Sequence, residues 1–174
     1  VTLLRSCSVQ LLTEEEFLQE ARFLWEEGHR SLLLIAGEHP VYGGIGQIAS
    51  YVCAARREKL PFSFAVEVGP LEANEYRFLN QLGISQALLF QETYDRETYS
   101  RVHQGPKAEY DWRLKAMERA RSAGIQCMGL GILLGLYDYR KDITELIRHA
   151  WGLRERFGDF PITFSFPRLR PAEG

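Results

Sequence analysis

Two patterns of apolar and polar positions alternate along the chain. In the first, apolar residues recur at helical spacing, as do Phe17, Ala21 and Leu24, before a glycine such as Gly28. The second is a short, continuous apolar run, as in 31–36, which is typical of a buried parallel strand. The two patterns follow each other along the whole sequence. They predict five strands, each preceded by a helix.

The boundaries of these elements can be predicted from local signals. The first helix begins at a capping box formed by Thr13 and Glu16 and ends at Gly28. Further helices are predicted over residues 45–58, 72–82, 108–123 and 142–156. Strands are predicted over residues 31–36, 62–68, 86–90, 125–130 and 162–166.

Strict alternation of helices and buried strands predicts an α/β fold with a parallel sheet and right-handed crossovers. Such a sheet is either doubly wound or a section of a (β/α) barrel. The sequence begins with a helix that no strand precedes, and it closes soon after a strand. We therefore expect a single partial domain over residues 1–174, open at both ends, that forms a section of a TIM-type barrel with about five parallel strands.

Composition narrows the possible partners. Of the 174 residues 45% are hydrophobic, and a net charge of -2 gives no electrostatic reason to expect binding to nucleic acid or an anionic membrane. No apolar run approaches the roughly 20 residues of a membrane-spanning helix, and no secretory signal is evident. We expect a cytoplasmic protein. The cysteines Cys7, Cys53 and Cys127 are far apart, and no histidine pair has ligand spacing, so we expect no metal ligands in this chain.

Polar residues follow every predicted strand. Because the carboxyl ends of parallel strands meet at one edge of a sheet, these residues are expected to lie together and to form a ligand site. The residues in question are Gly37 and Glu38 after the first strand, Glu67 at the second, Gln91, Glu92 and Tyr94 after the third, Gly131 and Leu133 at the fourth, and Ser165, Arg168 and Arg170 at the fifth.

Some of these residue types can hold particular charged groups. Gly37 and Glu38 would offer backbone oxygens and an anion to an ammonium group. Arg113, on the helix after the third strand, could hold a carboxylate with two parallel hydrogen bonds. Either Arg168 or Arg170 could likewise hold a carboxylate, and the sequence does not distinguish between them.

Two segments resemble a known family. The stretch from Gln91-Glu92-Thr93-Tyr94 through Gly105-Pro106-Lys107 to Arg113, and the segment Ser165-x-Pro167-Arg168-x-Arg170-Pro171, are similar to the signatures of the radical SAM tyrosine lyases. This family includes the tyrosine lyase of hydrogenase maturation and the 2-iminoacetate synthase of thiazole and thiamine biosynthesis. The motifs Gly105–Lys107 and Gly135–Asp138 favour the hydrogenase-maturation type.

The resemblance implies an activity and a set of binding residues. The expected reaction is cleavage of the Cα–Cβ bond of L-tyrosine to dehydroglycine and p-cresol, with S-adenosylmethionine as the radical source. A maturation or sulfur-carrier protein is a possible partner. The implied contacts to S-adenosylmethionine are Gly37, Glu38, Glu67, Glu92, Arg113, Gly131 and Leu133, and those to the substrate are Gln91, Tyr94, Ser165, Arg168 and Arg170.

The chain departs from the family at one motif. Radical SAM enzymes hold a 4Fe–4S cluster on the spacing Cys-x-x-x-Cys-x-x-Cys, which these 174 residues lack. We therefore expect the cluster ligands upstream of Val1 and expect this chain alone to be inactive. Two alternatives stay open. One is a degenerate barrel fragment that binds small molecules or a partner protein; the other is an unrelated barrel that binds phosphate at the glycine-rich turn 129–135.

Overall fold

The computed structural model describes residues 11–36 and 44–170 of the chain. Its helices are α1 (Glu14–Glu26), α2 (Ile45–Arg57), α3 (Ala73–Gln81), α4 (Arg96–Val102), α5 (Tyr110–Leu114), α6 (Ala116–Ser122) and α7 (Tyr139–Phe157), with a 3-10 turn at Gly105–Ala108. Its strands are β1 (Ser31–Ile35), β2 (Ser63–Glu67), β3 (Gln86–Glu92), β4 (Cys127–Ile132) and β5 (Ile162–Ser165).

The five strands form one parallel sheet in the order β1-β2-β3-β4-β5. Each strand pairs with the next strand along the chain, and the intervening helices make the crossovers. The predicted α/β fold is confirmed. All carboxyl ends of the strands therefore lie at one edge of the sheet, as the sequence analysis expected.

The core lies between the sheet and its helices. Along β2 and β3 every second side chain is buried, and Val66 and Leu89 are examples. These side chains join helix residues such as Val52 and Leu79 in one apolar cluster. The alternate residues of the two strands, among them Glu67, stay partly exposed on the opposite face. Within the described residues no helix is long and apolar enough to cross a membrane.

The helix predicted over 108–123 is present over most of its length but is divided in two. The structure has α5 and α6 instead, with a break at Lys115, and it adds α4 where the sequence indicated a loop. Asp95 caps α4 by accepting a hydrogen bond from Thr98 N at 2.8 Å. At the break, Arg119 Nη2 donates to the carbonyl oxygen of Trp112 at 2.8 Å and so gives this carbonyl a partner outside the helical pattern.

Candidate ligand site at the carboxyl edge of the sheet

A cavity of about 350 Å³ opens at the carboxyl ends of β1, β2 and β3. It combines strand-end residues with two cations from the segment that follows β3. The lining residues are Ile35, Ala36, Glu67, Val68, Gly69, Leu89, Phe90, Glu92, Lys107 and Arg113. Three residues that the sequence predicted as cofactor contacts, Glu67, Glu92 and Arg113, thus meet in one cavity.

A β-bulge at the end of β3 sets the position of Glu92. Phe90 pairs with Gly131 and Glu92 pairs with Ile132, so Gln91 is an extra residue on β3. Glu92 adopts a φ of 71°, which is unusual for a residue with a side chain. Its carbonyl oxygen accepts a hydrogen bond from Leu133 N at 2.7 Å, which ties the bulge to the segment after β4.

Two cations contact the same oxygen of Glu92. Lys107 Nζ lies 2.7 Å from Glu92 Oε1, and Arg113 Nη2 lies 3.7 Å from it. The side chain of Arg113 is only 5% exposed. Its Nε donates to the carbonyl oxygen of Phe90 at 2.7 Å. Arg113 is therefore fixed by the end of β3, and it holds a buried positive charge beside the cavity.

Glu67 faces the cavity from the end of β2. Among the described residues its carboxylate has no hydrogen bond or ion pair. Partial burial raises the pKa of Glu67, and the charge of Glu92 raises it further, whereas Arg113 lowers it. A cationic group of a ligand beside Glu67 would oppose this shift. The cavity therefore offers one carboxylate that a ligand can pair with.

The segment 96–113, here called the strap, carries both cations. Tyr99 is fully buried, and its hydroxyl donates to the carbonyl oxygen of Lys107 at 2.5 Å. The hydroxyl of Tyr110 donates to the carbonyl oxygen of Tyr94 at 3.0 Å. These bonds fasten the strap to itself and to the end of β3. Lys107 is a site residue that was not predicted from the sequence, although the turn at Gly105-Pro106 just before it is a local signal of a defined position.

Gln91 and Tyr94, predicted to contact the substrate, do not line this cavity. Gln91 is 4% exposed, and its Nε2 has no hydrogen-bond partner among the described residues. The hydroxyl of Tyr94 lies 2.9 Å from His149 Nδ1, and burial lowers the pKa of His149 to about 4. The backbone nitrogen of Tyr94 donates to Asp142 Oδ1 at 2.8 Å. Tyr94 therefore connects the end of β3 to α7.

The predicted residues of β4 and β5 occupy two environments. Gly131 packs so closely that a Cβ there would lie 2.6 Å from Phe90 Cδ1 and 2.9 Å from the carbonyl oxygen of Ser165. Arg168 forms an isolated parallel β-bridge with Leu134 through its backbone. It also lines a second cavity of about 420 Å³. The other lining residues of that cavity are Leu134, Gly135, Tyr137, Tyr139, Ile143 and Phe166. Arg170 is exposed, and Leu133 is partly buried.

Two predicted site residues, Gly37 and Glu38, lie outside the described residues, as does Cys7. Cys53 lies within α2, and Cys127 is the first residue of β4, at the edge of the sheet opposite the cavity. Residues 11–36 and 44–170 contain no group of three His, Cys, Asp or Glu side chains that could hold a metal ion. The described side chains thus do not fit an iron–sulfur cluster.

Comparison with known proteins gives consistent matches. A family model described as the radical SAM superfamily matches residues 6–150. The 2-iminoacetate synthase of Escherichia coli strain K12 is 37% identical over 165 residues, which cover 94% of this chain and 43% of that protein. The 2-iminoacetate synthase of Salmonella typhimurium is 34% identical over the same length.

Solved structures agree with this result. A crystal structure of HydG, a maturase of the FeFe-hydrogenase, superposes with a TM-score of 0.88 at 41% identity and is matched over 94% of this chain and 38% of its own. The HydG of Carboxydothermus hydrogenoformans gives a TM-score of 0.84 at 39% identity, with the same coverage. The chain spans less than half the length of each of these proteins.

Proposed function

The chain belongs to the radical SAM superfamily, and from this premise we propose that it is the part of a radical SAM lyase that binds S-adenosylmethionine and an amino-acid substrate. The resemblance predicted from the sequence is confirmed by the similarity to HydG and to 2-iminoacetate synthase. The proposed reaction is cleavage of the Cα–Cβ bond of L-tyrosine. Bound S-adenosylmethionine would supply the radical chemistry, and this chain would position the reactants.

The observation that carries the proposal is the pairing of acidic and basic groups in the 350 Å³ cavity. S-adenosylmethionine carries an ammonium group, a carboxylate and ribose hydroxyls. Glu67 and Glu92 suit the ammonium and the hydroxyls as acceptors, and Arg113 suits the carboxylate as a donor. Gly37, Glu38, Gly131 and Leu133 remain proposed contacts to the same ligand.

The iron–sulfur cluster needs ligands that the described residues do not provide. A 4Fe–4S cluster requires several thiolates within reach of one another, and Cys53 and Cys127 lie on different elements of the fold. In the proposed enzyme, the cluster thiolates would therefore come from other residues than these two. The role of the described residues is confined to binding, orientation and exclusion of water.

The second cavity supports a proposed substrate subsite. Its lining includes one basic residue, Arg168, and the aromatic residues Tyr137, Tyr139 and Phe166. This combination suits an aromatic amino acid whose carboxylate needs a cation. Ser165, Arg170, Gln91 and Tyr94 remain proposed substrate contacts as well. For Tyr94, contact through its hydroxyl would require that group to leave His149.

Two lyase reactions are candidates for the complete protein. The hydrogenase-maturation reaction comes first, because the motifs at Gly105–Lys107 and Gly135–Asp138 resemble that type and HydG is 41% identical. The 2-iminoacetate synthase reaction comes second, supported by 37% identity to the enzyme of Escherichia coli. A hydrogenase-maturation or sulfur-carrier protein would be the corresponding partner.

Calorimetric titration of S-adenosylmethionine into the chain tests the assignment of Arg113. We expect Arg113→Ala to weaken binding roughly tenfold to a hundredfold, because a charge-assisted hydrogen bond is lost. Arg168→Ala serves as the matched control and should bind with unchanged affinity. Circular dichroism would verify that Arg113→Ala is folded, with Arg113→Lys as a second variant. Equal losses in the Arg113 and Arg168 variants would contradict the assignment, and absence of binding to the wild type would contradict the proposed cofactor site.

A further inference from the structure

Lys107 differs from the other cation of the cavity in its freedom. Its side chain is 35% exposed, whereas that of Arg113 is 5% exposed. Arg113 is bonded through Nε to the carbonyl oxygen of Phe90. The ammonium of Lys107 bonds Glu92 Oε1 at 2.7 Å at the end of a chain with four rotatable bonds. Lys107 is therefore the cation of this site that can reorient at low cost.

Tyr99 holds the main chain of Lys107 in place. The hydroxyl of Tyr99 donates to its carbonyl oxygen at 2.5 Å. The ring of Tyr99 stacks on His103, with centroids 4.1 Å apart, and meets Tyr110 edge to face at 5.0 Å. These contacts fix the point from which the lysine side chain swings. The ammonium can then move between neighbouring acceptors without a change in the fold of the strap.

The charges of the cavity indicate which acceptor the ammonium of Lys107 would move to when a ligand binds. Among the described lining residues, two acidic groups, Glu67 and Glu92, face two basic groups, Arg113 and Lys107. A ligand carboxylate adds a further anion and thus competes with Glu92 for a cation. Arg113, which also lies beside Glu92 Oε1, would still face that carboxylate if Lys107 moved away. Glu92 would therefore keep a cation nearby when Lys107 leaves it, which limits the free-energy cost of the movement.

We propose that Lys107 is a specificity-determining residue that exchanges Glu92 for the carboxylate of a bound amino-acid group, with Tyr99 as the positioning residue that fixes its main chain. This inference rests on the proposed function and deepens it. The amino-acid group belongs either to S-adenosylmethionine or to the amino-acid substrate. A lysine whose only task is to pair with Glu92 would give no preference for a ligand carboxylate.

The test compares ligands that differ only in the carboxylate. Calorimetry would measure the affinities for S-adenosylmethionine and its decarboxylated analogue, and for L-tyrosine and tyramine. The variants are Lys107→Met, Lys107→Arg and, as a matched control on an exposed lysine nearby, Lys115→Met. We expect Lys107→Met to lower the preference for one carboxylate-bearing ligand by about tenfold or more. Lys107→Arg should keep most of the preference, and Lys115→Met should keep all of it.

The outcomes separate the possible sources of the carboxylate. A lower preference for S-adenosylmethionine over its analogue supports contact with the cofactor, and a lower preference for tyrosine over tyramine supports contact with the substrate. Tyr99→Phe should reduce the same preference in part and leave affinity for the decarboxylated ligand unchanged. Unchanged preferences in a folded Lys107→Met variant would overturn the inference alone. If the wild type binds neither ligand pair, the proposed function falls as well.

Discussion

At the scale of single residues, Glu92 has an unfavourable backbone conformation that places its side chain at the cavity. The left-handed conformation costs a residue with a Cβ about 1–2 kcal/mol. Residues in such conformations persist where the surrounding structure determines them, often at functional sites. Here the bulge at Gln91 and the hydrogen bond from Leu133 impose the conformation, and the carboxylate of Glu92 reaches Lys107.

This strain can be measured by comparing two substitutions at Glu92. Both Glu92→Gly and Glu92→Ala remove the ion pair with Lys107, but only glycine adopts a φ of 71° without cost. We expect the glycine variant to be more stable than the alanine variant by about 1 kcal/mol in urea denaturation. Lys59, an exposed residue with a φ of 57°, provides the control, because its glycine variant should also be more stable than its alanine variant. Equal stabilities of the two Glu92 variants would show that the position is not strained.

The sequence could predict part of this site. Glu67 and Glu92 are predicted at strand ends, which converge at one edge of a parallel sheet, whereas Arg113 is predicted on the helix after the third strand. All three line one cavity. The conformation of Glu92 could not be predicted, since the bulge depends on how β3 pairs with β4. The bond between Tyr94 and His149 joins residues 55 positions apart, and no local pattern signals such a contact.

At the scale of elements, local capping signals predicted helix boundaries better than apolar spacing did. The capping box of Thr13 and Glu16 is present at the start of α1, as predicted. The break between α5 and α6 was not predicted, because apolar spacing runs across both helices without a proline or glycine at the break. A side chain from the next helix, Arg119, stabilises that break by bonding Trp112 O, and this is a tertiary interaction.

A glycine-to-alanine substitution should have opposite effects on stability at Gly131 in β4, where the packing is close, and at Gly152 in α7, where it is open. A Cβ on Gly131 would meet the ring of Phe90 and, at 2.9 Å, the backbone oxygen of Ser165, which cannot rotate away. We expect Gly131→Ala to destabilise the chain by about 1–3 kcal/mol. Gly152, inside α7, has no atom within 4 Å of such a Cβ, so Gly152→Ala should stabilise by up to about 1 kcal/mol. Thermal melts would check both signs, and a stable Gly131→Ala would refute the close packing of β4 on β5.

At the scale of the whole molecule, the sheet formed by the described residues has β1 and β5 as its outer strands. On β1, Leu33 and Ile35 are exposed, the latter to 70%. An outer strand with exposed apolar side chains offers other chains both unpaired backbone hydrogen-bonding groups and a hydrophobic surface. We therefore expect this chain to self-associate when it is produced alone.

The self-association should depend on β1. Ile35→Lys places a charge on the outer strand and should shift the chain towards the monomer in size-exclusion chromatography with light scattering. Phe23→Lys is the matched control, since Phe23 is an apolar residue that is 57% exposed but lies on a helix and not on the outer strand, so its replacement should change little. A wild-type chain that is monomeric at high concentration would contradict the expectation.

The order of the strands in the sheet equals their order in the chain, and this bears on how the protein folds during synthesis. Each strand can pair with its predecessor as soon as it is made, so every loop to be closed is a single connection between consecutive strands. Domains built from such short-range pairings can gain structure as successive units leave the ribosome. The Glu92 bulge forms only when β4 has emerged, because Gly131 and Ile132 define its register. The ligand cavity is thus completed about 65 residues after Glu67, the first of its two described carboxylates, has been translated.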